Sequence, residues 1–106
     1  MTATSTRRLP DAACVKAAIF PRDFYRVELP GMPTPKRERG WTDGGLCPFH
    51  PDTHRGNFRV NLDTGQYHCF ACGVKGPDVI NFVQRRNGVS FLDALKMLCD
   101  AWGIRT

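Results

Sequence analysis

The sequence predicts a small α+β domain, in which a short antiparallel sheet is flanked by helices. Three observations carry that expectation. Two alternating runs between residues 58 and 70 face each other across Asp63-Thr64-Gly65, the pattern of a hairpin. Two capped helical segments follow it. Two short pairs, Cys47 with His50 and Cys69 with Cys72, bracket the hairpin, each with two residues between its members.

Taken in order, residues 1–10 are small and polar and read as a disordered N-terminal tail. Residues 11–106 read as one domain. Asp11 to Ile19 is Ala-rich and predicts a short helix with Asp11 as its N-cap, ended by Pro21. Phe24 to Leu29, "FYRVEL", alternates and is rich in strand formers, so a strand is expected. Residues 30–40, "PGMPTPKRERG", form an exposed loop, and Trp41 to Leu46 a short return strand. In "FRVNL", Phe58, Val60 and Leu62 point inward while Arg59 and Asn61 point outward. Gly65 supplies the positive φ of the turn, and Gln66 to Phe70 returns as the partner strand. Gly76-Pro77-Asp78 opens a helix with proline in its first turn, and Gly88 stops it near Asn87. Ser90 and Asp93 resemble a capping box. The next helix carries Phe91, Leu95, Leu98 and Trp102 as one apolar stripe and ends at Gly103.

Bulk composition narrows the class. At 106 residues the chain has room for one small domain. A domain of roughly 60 ordered residues buries only about 60% of its unfolded surface, so a metal or disulfides commonly reinforce it. The five cysteines are odd in number and unevenly spaced, unlike a secreted disulfide framework. The first residues lack the apolar core of a signal peptide, and no run approaches the ~20 apolar residues of a membrane span. An intracellular, cytoplasmic protein with reduced thiols and no membrane partner is therefore expected. The formal charge of +5 favours a polyanionic partner.

The two pairs predict one metal site. Two ligands separated by two residues can point into one turn, and two such knuckles complete a tetrahedron of three sulfurs and one imidazole nitrogen. That donor set suits Zn2+. A closed set leaves no position for a reacting water, so the ion would be structural. Gly73, after the last cysteine, lets backbone amides approach the thiolate. His54 and His68 compete for the histidine role. The pair spacing and Pro48 favour His50, and strand alternation turns His68 away from Cys69. Cys14 and Cys99 sit in apolar helical contexts and are expected to be small buried hydrophobes.

Together, "CPFHPD", "YHCFACGVKG", "DVINFV" and "SFLDALKMLCDAWGI" resemble the zinc-binding domain of bacterial DnaG-type DNA primases. In that family a C-P-F-H knuckle precedes an F-x-V strand, matched here by Phe58-Arg59-Val60. The Y-H-C-F-x-C-G-x-x-G run is matched from Tyr67 to Gly76. The resemblance implies a zinc ribbon with one structural zinc. It also implies binding of single-stranded template DNA in support of a separate polymerase domain. The basic loop at 30–40 is longer than the family's short turn.

The leading functional expectation is a stand-alone module that binds single-stranded DNA during replication or primer synthesis. A primase catalytic subunit or a helicase would act with it in trans. Its candidate DNA contacts are the cations Arg37, Arg39, Arg55, Arg59 and Lys75, with Trp41, Tyr67 and His68 as stacking groups. An enzyme is not expected: polymerisation needs paired carboxylates holding divalent metals, and the ten acidic residues are scattered. The alternative is a zinc-ribbon adaptor that docks proteins without touching DNA.

Overall fold

The computed structural model describes residues 11–105, and the expected tail at 1–10 lies outside them. Helix α1 spans Ala12–Ala18, with Asp11 Oδ1 accepting from the Ala13 N–H at 2.9 Å. It turns Val15 and Ile19, four residues apart, into the core. Cys14, one residue before Val15, points off that face and is exposed, contrary to expectation, whereas Cys99 is buried as expected.

The expected strand over 24–29 is instead helix α2, Pro21–Glu28. Pro21 does not simply end α1. It sits in the first turn of α2, where its missing N–H costs nothing. The alternation of Tyr25, Val27 and Leu29 is misleading, because Val27 is 63% exposed. The buried set is Phe24, Tyr25 and Leu29, a helical spacing.

Four strands follow in one antiparallel sheet ordered as in the chain: β1 Trp41–Asp43, β2 Phe58–Asn61, β3 Tyr67–Cys69 and β4 Lys75–Gly76. The expected return strand is thus only three residues long. It pairs with β2, with Thr42 opposite Val60. The β2–β3 hairpin has the expected turn, and Gly65 has a φ of 84°. Asn61 is an exception to the expected outward pattern, being only 9% exposed. Its side chain turns back over the hairpin loop, where Oδ1 accepts from the Asp63 and Thr64 amides at 2.9 and 3.0 Å. The short β4 had no strand pattern of its own. It forms because the second knuckle folds the chain back against β3.

Helix α3, Val79–Asn87, is capped by Asp78, whose carboxylate accepts from the Asn81 N–H at 2.8 Å. Pro77 therefore precedes the cap instead of entering the first turn. Helix α4, Phe91–Trp102, is capped by Ser90, and both helices end in left-handed glycines, Gly88 and Gly103. The buried stripe of α4 is Ala94, Leu95, Leu98 and Cys99. Phe91, expected in that stripe, is 48% exposed, and Trp102 is half-buried against Phe24.

The inner face of the sheet carries Phe58, Val60, Tyr67 and Cys69, all buried. Phe24, Tyr25, Phe49 and Phe82 close over it, and Phe82 meets Tyr25, Phe49 and Tyr67 edge-on at 5.3 to 5.4 Å. The Tyr25 hydroxyl donates to the Gly65 carbonyl at 2.6 Å, which ties α2 to the hairpin turn. Among the described residues, no helix is long and apolar enough to cross a membrane.

Candidate metal centre and nucleic-acid interface

The first knuckle lies in the loop between β1 and β2, and the second follows directly from β3. Strand pairing sets Phe58 opposite Cys69, so the two knuckles meet at one end of the sheet. The ligand atoms of Cys47, His50, Cys69 and Cys72 all lie within 4.8 Å of one another. The Cys69 Sγ to His50 Nε2 separation is 3.4 Å. Tetrahedral zinc, with Zn–S about 2.3 Å and Zn–N about 2.0–2.1 Å, requires S···N edges of about 3.5 Å. Donor chemistry and spacing both fit one zinc ion. His50 Nδ1 lies 3.0 Å from the Pro51 carbonyl. A proton there donates to that oxygen and leaves Nε2 free to ligate.

His54 stands outside this group and is exposed beside Thr53, with Nδ1 at 3.0 Å from Thr53 Oγ1. His68 points to the opposite face of the sheet, as its alternation implied. Among the described residues, no other group of three or more His, Cys, Asp or Glu is placed to hold a metal.

Asp52 was not singled out in the sequence, yet it organises the first knuckle. Its two oxygens accept from the Cys47 amide at 2.8 Å and the His54 amide at 3.2 Å. Those bonds hold its carboxyl below the usual range. A carboxylate five residues beyond a ligand is a weak signal without a fold to place it. Burial alone would raise the Cys69 thiol, but the Cys72 and Ala71 amides and His50 outweigh it and bring the thiol down to about 7. Gly73, at a φ of 81°, closes the knuckle turn, and its N–H donates to the Cys69 carbonyl at 2.8 Å. Desolvation pushes Cys47 up to about 12 despite the Phe49 amide, with the Cys69 and Cys72 thiols adding to the rise.

The outer face of the sheet differs from the inner one. Register sets Asp43 opposite Arg59, Arg59 opposite His68, and His68 opposite Lys75. Trp41 lies on the same face and is 50% exposed. Phe70 is 67% exposed and stacks on His68, with ring centroids 4.1 Å apart. Trp41, Arg59, His68 and Phe70 line one shallow slot of about 220 Å³. Phe70 was missed in the sequence, although the period of two that turns His68 outward also turns Phe70 outward.

The other candidate contacts divide. Lys75 is exposed at the β4 edge. Arg37 and Arg39 line a cleft that also includes Trp41 and Arg59. Arg55 is exposed at the rim but engaged with Asp43 at 3.5 Å. Tyr67 is not a stacking group. It is 1% exposed, and its hydroxyl donates to Asn81 Oδ1 and accepts from Arg85 Nε at 3.2 Å. Its register partner is Gly76, on the core side of the sheet.

The chain is similar to known proteins in sequence and fold. The family model for the CHC2 zinc finger, the DnaG-type zinc ribbon, matches residues 34–106. The DNA primase of Lactococcus lactis is 48% identical over 60 residues, 57% of this chain and 9% of that protein. The DNA primase of Deinococcus radiodurans is 48% identical over 61 residues, 58% of this chain and 10% of that protein. The matched region thus spans about a tenth of these curated relatives. The crystal structure of the zinc-binding and RNA polymerase domains of Aquifex aeolicus primase superposes with a TM-score of 0.65 at 27% identity. That match covers 87% of this chain and 21% of the other. The likeness lies in the zinc-binding part of primase and not in its catalytic domain. With the Cys-His-Cys-Cys group, the hairpin that carries it and this match over most of the residues, the chain belongs to the CHC2 zinc finger family of DnaG-type primases.

Proposed function

We propose that this chain binds single-stranded DNA across the outer face of its sheet and serves primer synthesis in DNA replication as a non-catalytic accessory. In this reading Cys47, His50, Cys69 and Cys72 hold one structural zinc that fixes the sheet. A primase catalytic part or a helicase is the partner. The observation that carries the reading is the outer face itself. Trp41 and the His68–Phe70 stack stand exposed there around Arg59, with Lys75 alongside. Aromatic faces take unstacked bases at about 1–3 kcal/mol per base, and the cations take phosphates. Bases in a duplex are paired and stacked, so a flat aromatic face favours single strands.

Fluorescence anisotropy of a labelled mixed-sequence oligonucleotide at low salt is the test. The single strand is expected to bind more tightly than its duplex, and the zinc-loaded chain to make no primers alone from template, nucleotides and Mg²⁺. If about three phosphates are neutralised, the log–log salt slope is expected near −2, at ~0.7 per contact. Absence of binding with micromolar protein would leave the protein-docking adaptor as the better reading.

A further inference from the structure

The loop before β1 places a second feature beside the aromatic slot. Residues 33–40 lean over the sheet edge and enclose an open cleft of about 810 Å³. Lys36, Arg37, Arg39 and Arg59 line it, and among the described residues none of the four forms an ion pair. Three acids lie in or beside the cleft, and Asp43 and Asp63 are part of its lining. Glu38 is drawn to Arg26 at 2.8 Å. Asp63 accepts from the Gly40 amide at 3.0 Å. Asp43 accepts from the Gly45 amide at 2.8 Å and holds Arg55. Four cations and two carboxylates, Asp43 and Asp63, thus share the cleft, which leaves two positive charges in excess. The cleft shares Trp41 and Arg59 with the aromatic slot, so a base and a phosphate cluster can be held side by side.

We infer that the cleft binds the triphosphate of a nucleotide whose base lies on Trp41. The inference rests on the outer face being a nucleic-acid surface. A phosphodiester strand spreads its charge one unit per nucleotide, whereas a triphosphate concentrates about four on three linked phosphorus atoms. Three cations within residues 36–39, facing a fourth on β2, match the compact charge. Arginine forks suit such oxygens because they donate in bidentate fashion. The ligand is either a free nucleoside triphosphate or the 5′-triphosphate end of a nascent strand.

The test compares three labelled oligonucleotides with the zinc-loaded chain, in buffer without Mg²⁺ or chelator. They are a 5′-hydroxyl strand, the same strand with a 5′-triphosphate, and a 5′-hydroxyl strand three nucleotides longer. The 5′-triphosphate strand is expected to bind about tenfold more tightly than either control, the worth of one net charge-assisted hydrogen bond. The gain is expected to vanish in the combined Lys36→Ala, Arg37→Ala and Arg39→Ala variant, while 5′-hydroxyl binding falls less. ATP and inorganic triphosphate then compete. If ATP displaces the 5′-triphosphate strand better than inorganic triphosphate does, the ligand is a nucleotide. If inorganic triphosphate competes equally well, the base contact at Trp41 is overturned. Equal binding of the 5′-triphosphate strand and the longer 5′-hydroxyl strand would overturn the triphosphate site while leaving single-strand binding intact. If no strand binds, the underlying DNA reading falls with it.

Discussion

At Asp52 one carboxylate holds two backbone amides, and one of them belongs to the zinc-ligand residue Cys47. Groups that orient ligands in this way commonly change metal affinity by about 10–100-fold when lost. Asp52→Ala is therefore expected to weaken zinc binding within that range in a competition titration with a chromogenic chelator. Asp52→Asn, which keeps one acceptor oxygen, is expected to retain part of the affinity. Unchanged affinity in both variants would show that the knuckle needs no such brace. Gly76 makes a different demand. A Cβ there would lie 2.6 Å from the Tyr67 ring and collide with Asn81 Oδ1. Gly76→Ala is expected to cost about 1–3 kcal/mol, the range for overpacking, with zinc content unchanged. Urea denaturation of the zinc-loaded protein measures it.

Among the elements, α2 separates two readings of one segment. If residues 24–29 were a strand, Val27 would share a buried face with Tyr25 and Leu29. In the helix it faces outward. Val27→Glu is therefore expected to change stability by less than about 0.5 kcal/mol, whereas Leu29→Ala is expected to cost about 2–5 kcal/mol. A large loss from Val27→Glu would restore the strand. The segment was misread because strand formers in alternation satisfy the period of two locally, while the proline and the aromatic core of Phe24, Tyr25 and Phe82 act at longer range. The β2–β3 hairpin, α3, α4 and the grouping of the four ligands were legible, because short-range spacing and glycine punctuation set them. Tyr67 was not, since alternation in a three-residue strand does not show which face the helices cover. The β4 strand was also hidden, because two residues carry no period.

For the whole molecule, a small core and one metal cluster share the task of holding the sheet. Structural zinc sites contribute apparent folding free energies on the order of 10 kcal/mol or more. Removing zinc with a strong chelator is expected to abolish the cooperative thermal transition followed by circular dichroism. Cys72→Ser is expected to lower zinc content and melting temperature together. Zinc binds deprotonated thiols and neutral imidazole, so releasing it requires proton uptake. Stability is thus expected to fall as the pH is lowered, and a melting temperature independent of pH in mild acid would contradict metal-linked folding. Retention of full zinc by His50→Ala with loss in His54→Ala would transfer the histidine role to the exposed neighbour.

The outer face and the zinc site meet in one measurement. Anisotropy titrations of a single-stranded oligonucleotide are run on the wild-type chain and on the combined Arg59→Ala and Phe70→Ala variant, with zinc content measured on the same samples. Both side chains stand on the face away from the core. Both proteins are therefore expected to hold one zinc and melt alike, while the variant loses at least about 1–3 kcal/mol of binding, the worth of one stacked base. A folded, zinc-loaded variant that binds the strand as tightly as the wild type would contradict the assignment of this face to DNA.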